Sequence, residues 1–171
     1  MDRAQYLIDT LGLSPHPERG HYAVTYRAGL TVANLPHHAG PRPASTAIYF
    51  LLSAAQGATY LHRLKSDELF HLYEGGPLDV VILSPGSGGR VERLGLDLGA
   101  GERPQLVIPA GSWFAAELPA GVAHCLWGCT VAPGFDFADF ELASGPDLCA
   151  QFPSFAARLA RMVRPAALAP G

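Results

Sequence analysis

The sequence predicts an all-β domain, a sandwich or a barrel that closes as a jelly roll, with one short helix at each end. Short strand-like runs follow one another at regular spacing from residue 45 onward. Turn segments separate these runs, and the chain contains 19 glycines and 15 prolines. Apolar residues make up 49% of the chain and charged residues 16%, so the strands can bury a sizeable core. Eight or more strands would close the sheet and remove its long exposed edges.

Length and composition exclude several classes of protein. The 171 residues indicate a single domain over residues 1–171. The formal net charge is -3 and there is no basic run, so nucleic acid is not an expected partner. Cys125, Cys129 and Cys149 form no repeated C-x-x-C unit, which argues against a disulfide framework and a structural zinc site. The N-terminal segment resembles neither a signal peptide nor a membrane span, so we expect a cytoplasmic protein with no membrane partner.

The N-terminal part of the chain predicts one helix, one strand and one loop. An amphipathic helix is expected over residues 2–12, with an apolar face formed by Ala4, Leu7, Ile8 and Leu11. The two prolines of "SPHPERGHYAVTYRA" prevent a helix, and its second half alternates like a strand. Residues 30–44 contain three prolines and should form a loop, which could lie over the mouth of a pocket. His37 and His38 in this loop are expected to be solvated.

The remaining elements form the body of the predicted barrel, a core over residues 20–145, and a final helix. A helix over 152–164 is expected from the spacing of Phe152, Phe155, Leu159 and Met162. The predicted strands are "STAIYFLLS" (45–53), "TYLHRL" (59–64), "ELFHLY" (68–73), "LDVVILS" (78–84), "RVERL" (90–94), "PQLVIPA", "SWFAAEL", "AHCLWGCTVAP" and "FADFELAS".

The segment "YLHRLKSDELFHLYEGG", residues 60–76, concentrates ionisable side chains in an apolar strand pair. Residues two apart in a strand share a face. If His62 points into the barrel, one of the two alternating sets of side chains on the next strand, that of Glu68 or that of His71, does as well. The turn between the strands has unknown geometry, and the spacing leaves open whether Glu68 or His71 joins His62. An imidazole and a carboxylate in a dry cavity can exchange protons with a substrate. The same three residues are candidate metal ligands.

This segment resembles the first motif of the cupin superfamily, G-x5-H-x-H-x3/4-E-x6-G. His62, Glu68 and Gly75 match the motif, whereas Leu64 occupies the place of the second histidine. The second cupin motif resembles "VIPAGSWFAAEL", in which Phe114 stands where a histidine is usual. The resemblance is stronger to the Cupin 5 subfamily, over about residues 5 to 155. Its blocks are similar to "LGLSPHPERGHY", "STAIYFLL", "HRLKSDELFHLYEG", "PQLVIPAGSWFAAE" and "GCTVAPGFDFADFEL", with Arg19 in place of a glycine.

The resemblance implies a double-stranded β-helix with an internal pocket, usually built as a homodimer. An early strand such as "GHYAVTYRA" could join a partner's sheet edge. The departures at Leu64 and Phe114 matter for chemistry, because neither side chain can ligate a metal. A tightly bound functional metal, and with it dioxygenase or oxalate decarboxylase chemistry, is therefore not expected. His62, Glu68 and His71 remain the metal candidates should a divalent ion bind.

A small-molecule pocket with aromatic walls remains. The candidates to line it are Tyr60, Trp113, Phe114, Phe70 and Tyr49, with ordinary core packing as the alternative for Phe70 and Tyr49. Glu141 lies in an apolar run and could face inward, whereas Asp136 and Asp139 are expected to face solvent or cap a turn. Arg63 should point away from His62 and form an ion pair, with Asp67 or across a dimer.

Two functions of different classes follow from this pocket. In the first, His62 paired with Glu68 or Glu141 acts as a base on a carbon acid or a sugar-like substrate and drives isomerisation or epimerisation without a metal. Kinship of the subfamily's fold with epimerases of deoxysugar nucleotides is in line with this chemistry. In the second, the pocket binds a small apolar or carbohydrate-like ligand and no reaction follows. A metal-bound cupin is the third alternative.

Overall fold

The fold consists of two antiparallel sheets with one core between them. A computed structural model describes residues 2–143 and 147–165. The strands are numbered in chain order. In sheet order, the larger sheet contains β1 (Ser14–Pro15), β2 (His21–Arg27), β5 (Thr46–Ser53), β12 (His124–Ala132), β7 (Asp67–Gly75) and β10 (Gln105–Ile108). The smaller sheet contains β13 (Glu141–Leu142), β6 (His62–Arg63), β11 (Trp113–Glu117), β8 (Leu78–Ser84) and β9 (Gly88–Leu94). A separate hairpin joins β3 (Thr31–Val32) to β4 (Arg42–Pro43).

Strand alternation explains how the sheets pack. Val80 and Ile82 of β8 belong to the core between the sheets, whereas Val81 and Leu83 pack under the C-terminal helices. Burial on both faces accounts for the continuous apolar run "VVIL", residues 80–83. The largest fully buried side chain is Trp127 of β12, which stacks on Phe50 of β5 at 4.7 Å between ring centroids.

Helices cover the outer face of each sheet. Helix α1 (Arg3–Leu11) packs Ala4 and Leu7 on the outer face of the larger sheet and ends at Gly12, which adopts a left-handed conformation. Helices α2 (Asp147–Gln151) and α3 (Ala156–Leu159) flank a 3-10 helix at Pro153–Phe155 on the other side. No helix in the described part of the chain has the length and apolar character needed to cross a bilayer.

The predicted fold class is confirmed, and several predicted elements differ. The single helix expected over 152–164 is wrong, because Pro153 cannot continue a helix from Phe152 and opens a 3-10 turn instead. The apolar spacing was informative all the same, since Phe152, Leu159 and Met162 are buried together. The strand expected at "FADFELAS" is instead a 3-10 helix, Phe137–Asp139, followed by the short β13.

Candidate functional site

A cavity of about 240 Å³ opens between the sheets at one end of the barrel. The inner faces of β2, β5, β7 and β12 form most of its wall, and the segment after β12 closes one side. Its apolar wall includes Ile48, Phe50, Val131, Phe135 and Phe140. We call the exposed part of the lining, which comprises Val24, Arg27 and Phe137, the mouth. Buried ionisable side chains stand away from the mouth, at what we call the closed end.

His62 lies at the closed end with an acceptor on each ring nitrogen. Its Nδ1 is 2.8 Å from the Tyr60 carbonyl, which can only accept, so Nδ1 carries a proton and donates it. Its Nε2 is 2.9 Å from Oε2 of Glu18. Burial alone lowers the pKa of His62, but the Glu18 carboxylate outweighs burial, with help from Glu68 and the Tyr60 carbonyl, and the pKa is raised. The arrangement is an imidazolium–carboxylate ion pair.

Glu68 stands beside this ion pair and is only 6% exposed. Its Oε2 is buried and has no hydrogen-bond partner among the residues that the structure describes. Burial raises the pKa of Glu68 to about 7, with the charge of His62 opposing the rise and that of Glu18 adding to it. A carboxyl group that titrates near neutrality in an apolar cavity can both accept and return a proton.

Two further polar groups line the closed end. The Glu18 backbone N–H donates to Nδ1 of His16 at 3.4 Å, and burial lowers the pKa of His16 despite the Glu18 charge. His16 is therefore a neutral imidazole. Burial, with the charges of Glu68 and Glu18, raises the pKa of the Cys129 thiol well above its usual range, so this group stays protonated.

The loop before β2 places Glu18 against His62. Arg19 and Gly20 both have a φ of 74°, and this left-handed pair turns the chain into β2. A Cβ atom on Gly20 would lie 2.4 Å from the Phe50 ring, so the close approach requires glycine. The Glu18 carbonyl accepts the Tyr60 N–H at 2.7 Å, and the Arg19 guanidinium stacks 4.2 Å above the Tyr60 ring. Arg19, which stands where the family usually has glycine, thus holds the loop against the segment before β6.

Strand register decides which predicted residues reach the cavity. Paired residues of antiparallel strands share a face. Glu68 pairs with Val131, which lines the cavity, so Glu68 rather than His71 joins His62. His71 pairs with Gly128 on the outer face and its Nε2 is 3.2 Å from the Thr130 hydroxyl.

Glu141 does not reach the cavity, which corrects the expectation that it faces inward. Register places Glu141 opposite Arg63, on the face away from His62. The two side chains form an exposed ion pair with Arg63 Nη2 2.7 Å from Glu141 Oε2, in place of the pairing expected with Asp67 or across a dimer.

None of the predicted aromatic residues lines the cavity. Trp113 lies on the outer face of the smaller sheet, with the guanidinium of Arg63 4.5 Å from its ring centroid. Tyr49 lies on the outer face of the larger sheet against Tyr73. The other predicted aromatic residues are buried: Tyr60 under Arg19, Phe70 in the core, and Phe114 in the core against the His62 ring. The wall is aromatic as predicted, but it consists of other residues: Tyr22, Phe50, Phe135, Phe137 and Phe140.

The loop over 30–44 does not line the cavity, and its two histidines differ in exposure to solvent. His37 is exposed as expected, whereas the side chain of His38 is 5% exposed, contacts Ser66 and lies 3.8 Å from Asp139. Asp139 is also buried rather than solvated, because Arg42 binds it through two hydrogen bonds of 2.6 and 3.0 Å. Asp136 caps the 3-10 helix by accepting from the Ala138 N–H, as expected.

Sequence reasoning missed Glu18 and His16, which complete the closed end. Both lie in "SPHPERG", between prolines and before a glycine, where no periodicity indicates which way a side chain points. The available signal was the presence of both residues in one of the blocks that resemble the Cupin 5 subfamily.

Comparison with known families agrees with this geometry. The family model Cupin 5, described as Cupin superfamily (DUF985), matches residues 5–143. The chain belongs to the Cupin 5 family. The structure of a hypothetical protein from Leishmania major has a TM-score of 0.86 and 30% identity, and the match covers 95% of this chain and 99% of that one. A protein from Shewanella oneidensis has a TM-score of 0.83 and 37% identity, with 96% and 99% covered. A cupin-2 domain from Rhodospirillum rubrum, at 16% identity and a TM-score of 0.58 with 89% of each chain covered, shares the fold.

The residues of this Cupin 5 protein do not fit a cupin metal centre. Leu64 and Phe114 occupy two ligand positions and have no lone pair to offer. Both nitrogens of His62 are engaged by acceptors, and His71 lies on the other side of the sheet. Within residues 2–143 and 147–165, no group of three or more His, Cys, Asp or Glu side chains is placed to hold a metal ion.

Proposed function

We propose that the protein is a small-molecule enzyme that moves a proton on a carbon acid or a sugar-like substrate, as an isomerase or epimerase, without a metal. The observation that carries this proposal is Glu68, a buried carboxyl group with an unpartnered oxygen in an apolar cavity. Nothing in ordinary core packing requires an orphaned carboxyl group, which costs free energy to bury. Ionisable groups with strongly shifted pKa values in a cavity are typical of catalytic sites.

The chemistry assigns different roles to Glu68 and His62. Glu68 in its ionised form removes a proton from a carbon beside a carbonyl group. The positive charge of His62 stabilises the negative charge that develops on the carbonyl oxygen. Glu68 then returns the proton on the same face to a neighbouring carbon, which isomerises the substrate, or to the original carbon after the planar enolate has turned over, which epimerises it.

This assignment replaces the expectation that His62 is the base. Both of its ring nitrogens are protonated and face acceptors, so His62 has no lone pair for a substrate proton. Glu18 holds that charge in place and is a positioning residue. Glu141, the other carboxylate considered as the partner, is paired with Arg63 outside the cavity.

The test is hydrogen–deuterium exchange on carbon. Ketones, 2-oxo acids, aldoses and ketoses are incubated with the protein in D₂O, and loss of the C–H signal is followed by proton NMR. We expect exchange that rises with pH through about 7, because the base must be ionised. Glu68→Gln should abolish exchange, a loss of at least about 100-fold. Glu141→Gln is the matched control and should retain it.

The alternative functions give different results. If compounds raise the thermal stability of wild type and Glu68→Gln equally and no carbon exchanges, the protein is a binding module. About one equivalent of Fe, Mn, Ni or Zn in protein purified without a metal-affinity step, and its loss in His62→Ala, would show a metal-bound cupin instead.

A further inference from the structure

A β-bulge in β2 determines which side chain enters the cavity mouth. Val24 pairs with Ile48 and Tyr26 pairs with Ala47, so Thr25 is an extra residue without a partner on β5. Beyond the bulge, Arg27 pairs with Thr46. Thr46 and Ile48 both line the cavity, and paired residues share a face, so Arg27 faces inward. If the alternation of Tyr22 and Val24 continued without the bulge, Tyr26 rather than Arg27 would face the cavity. Bulges commonly re-aim a side chain beside a functional site.

Arg27 brings to the mouth a positive charge that the described residues do not balance. Its guanidinium forms no hydrogen bond or ion pair with residues 2–143 or 147–165. The other arginines of strands and helices discussed above, such as Arg42 and Arg63, bind a carboxylate. The carboxylate of Asp136 also lines the cavity, but it caps Ala138 through Oδ1 and forms no ion pair with Arg27.

No other described residue of the cavity lining offers a free positive charge that would compete with Arg27 for an anion. At the closed end, both ring nitrogens of His62 already face acceptors, with Nε2 2.9 Å from Glu18 Oε2, so His62 has no N–H free to bind an anionic group. Between the two ends the wall is apolar, with Ile48, Val131 and Phe135 among its members. A ligand that fills this space therefore meets an arginine first, then an apolar section, and finally Glu68.

We propose that the cavity binds an organic anion, with its carboxylate or phosphate group on Arg27 and its apolar body extending toward Glu68. The inference that the ligand reacts at Glu68 rests on the proposed function. The inference that its other end is anionic depends only on the bulge and on Arg27. A guanidinium binds a carboxylate or a phosphate through two parallel hydrogen bonds, which gives it orientation as well as affinity. The arrangement selects amphipathic anions over neutral molecules of the same shape.

Binding of matched probes tests this inference. Calorimetry measures the affinity for 3-phenylpropionate, for its neutral isostere 3-phenylpropanamide, and for phenyl phosphate, which separates carboxylate from phosphate as the preferred group. We expect the preferred anion to bind at least about tenfold more tightly than the amide, and this preference to shrink as salt is added. Arg27→Gln should remove the preference, and Arg27→Lys should retain part of it.

The controls separate this inference from the proposed function. Arg90→Gln alters an exposed arginine of β9 that pairs with Glu92, and it should bind the anions like wild type. Glu68→Gln should keep the preference for anion over amide, whether or not the protein catalyses proton transfer. Equal affinity for anion and amide, no binding of any probe at millimolar concentration, or an unchanged preference in Arg27→Gln would overturn the inference, even if carbon exchange were observed.

Discussion

Glu68 occupies an inward position of β7 whose burial opposes its ionisation. Its pKa of about 7 lies above the 4.5 of an ordinary glutamate, so the folded protein holds this proton more tightly than the unfolded chain does. The free energy of unfolding therefore has a contribution from this group that is complete below pH 4.5 and is lost as pH rises through 7. The same environment that makes Glu68 a suitable base costs the folded state stability at neutral and alkaline pH.

Replacement of Glu68 by Gln should remove this pH dependence. At pH 8 the variant should be more stable than wild type by up to about 3 kcal/mol, because no charge is buried, whereas at pH 4.5 the two should be similar. Urea unfolding at both pH values measures the difference, with Glu141→Gln as the exposed control. Equal stability of Glu68→Gln and wild type at pH 8 would contradict a pKa shift of this size.

Arg19 combines an unfavourable backbone conformation with a favourable side-chain contact. Its φ of 74° is costly for any residue except glycine, and its guanidinium stacks on Tyr60. Arg19→Ala keeps the backbone cost and loses the contact, so we expect a loss of about 1 kcal/mol. Arg19→Gly loses the contact but relieves the backbone, so its stability should be close to that of wild type.

Urea unfolding of the two variants checks this pair of expectations. An Ala variant as stable as wild type would show that the stacking on Tyr60 contributes nothing. If the Arg19 contact also positions Glu18, the Gly variant should show a changed pH profile for carbon exchange, although its stability is retained.

Two irregular segments, the 30–44 loop and the 3-10 helix after β12, hold each other in place. Arg42 of β4 and Asp139 of the 3-10 helix are 7% and 5% exposed, and His38 and Lys65 lie within 4 Å of the same carboxylate. Burial raises the pKa of Asp139, but the hydrogen bonds from Arg42 outweigh it and the pKa is lowered. The 3-10 helix carries Phe137 to the cavity mouth, so this ion pair supports the aromatic wall.

Asp139→Asn should loosen both segments, because it leaves Arg42 buried without a counter-charge. We expect the midpoint of thermal unfolding to fall by several degrees and limited proteolysis within residues 30–44 to become faster. Asp136→Asn, which removes only the charge of a half-buried capping residue, is the control. If Asp139→Asn unfolds and is cleaved like wild type, the ion pair does not hold the loop.

Regular elements could be predicted from the sequence, and irregular ones could not. The strand over residues 78–84 has the predicted bounds, because alternation and flanking turns are local signals. The cupin motif predicts His62 and Glu68 in one site, whereas period-two alternation alone left Glu68 and His71 as alternatives. Glu18 was not predicted, because the direction of its side chain depends on a left-handed turn. Glu141 was expected in the cavity, but its pairing with Arg63 depends on strand register between distant segments. Arg27 depends on a bulge that the alternation of "YAVTYR" conceals.

At the scale of the whole molecule, the larger sheet ends in an edge that the described residues leave open. Strand β1 pairs only with His21 and Tyr22, so residues 23–27 have no strand partner on that side in the described part of the chain. Tyr26 on this edge is 55% exposed. An apolar unpaired edge favours addition of another strand. We propose that the edge of β2 joins that of a second copy in a homodimer.

Light scattering coupled to size exclusion should give the mass of two chains for wild type. Tyr26→Lys should shift the protein toward one chain, because a lysine on an edge strand opposes pairing. Val107→Lys alters β10 at the opposite edge, where the side chain is 47% exposed, and should leave the mass unchanged. A single-chain mass for wild type, or dissociation by the β10 variant, would refute the proposed arrangement.

Because Thr25 is unpaired, the side chain at the opening depends on the register of one residue in β2. If β2 took Thr25 into the ladder opposite Ala47, Tyr26 would move opposite Thr46 and face the opening, and the arginine would turn out toward solvent. The remaining strands of the barrel need not move for this exchange. A one-residue slip of register would thus exchange a cation for an aromatic ring at the opening, without any substitution in the wall and on an unchanged scaffold.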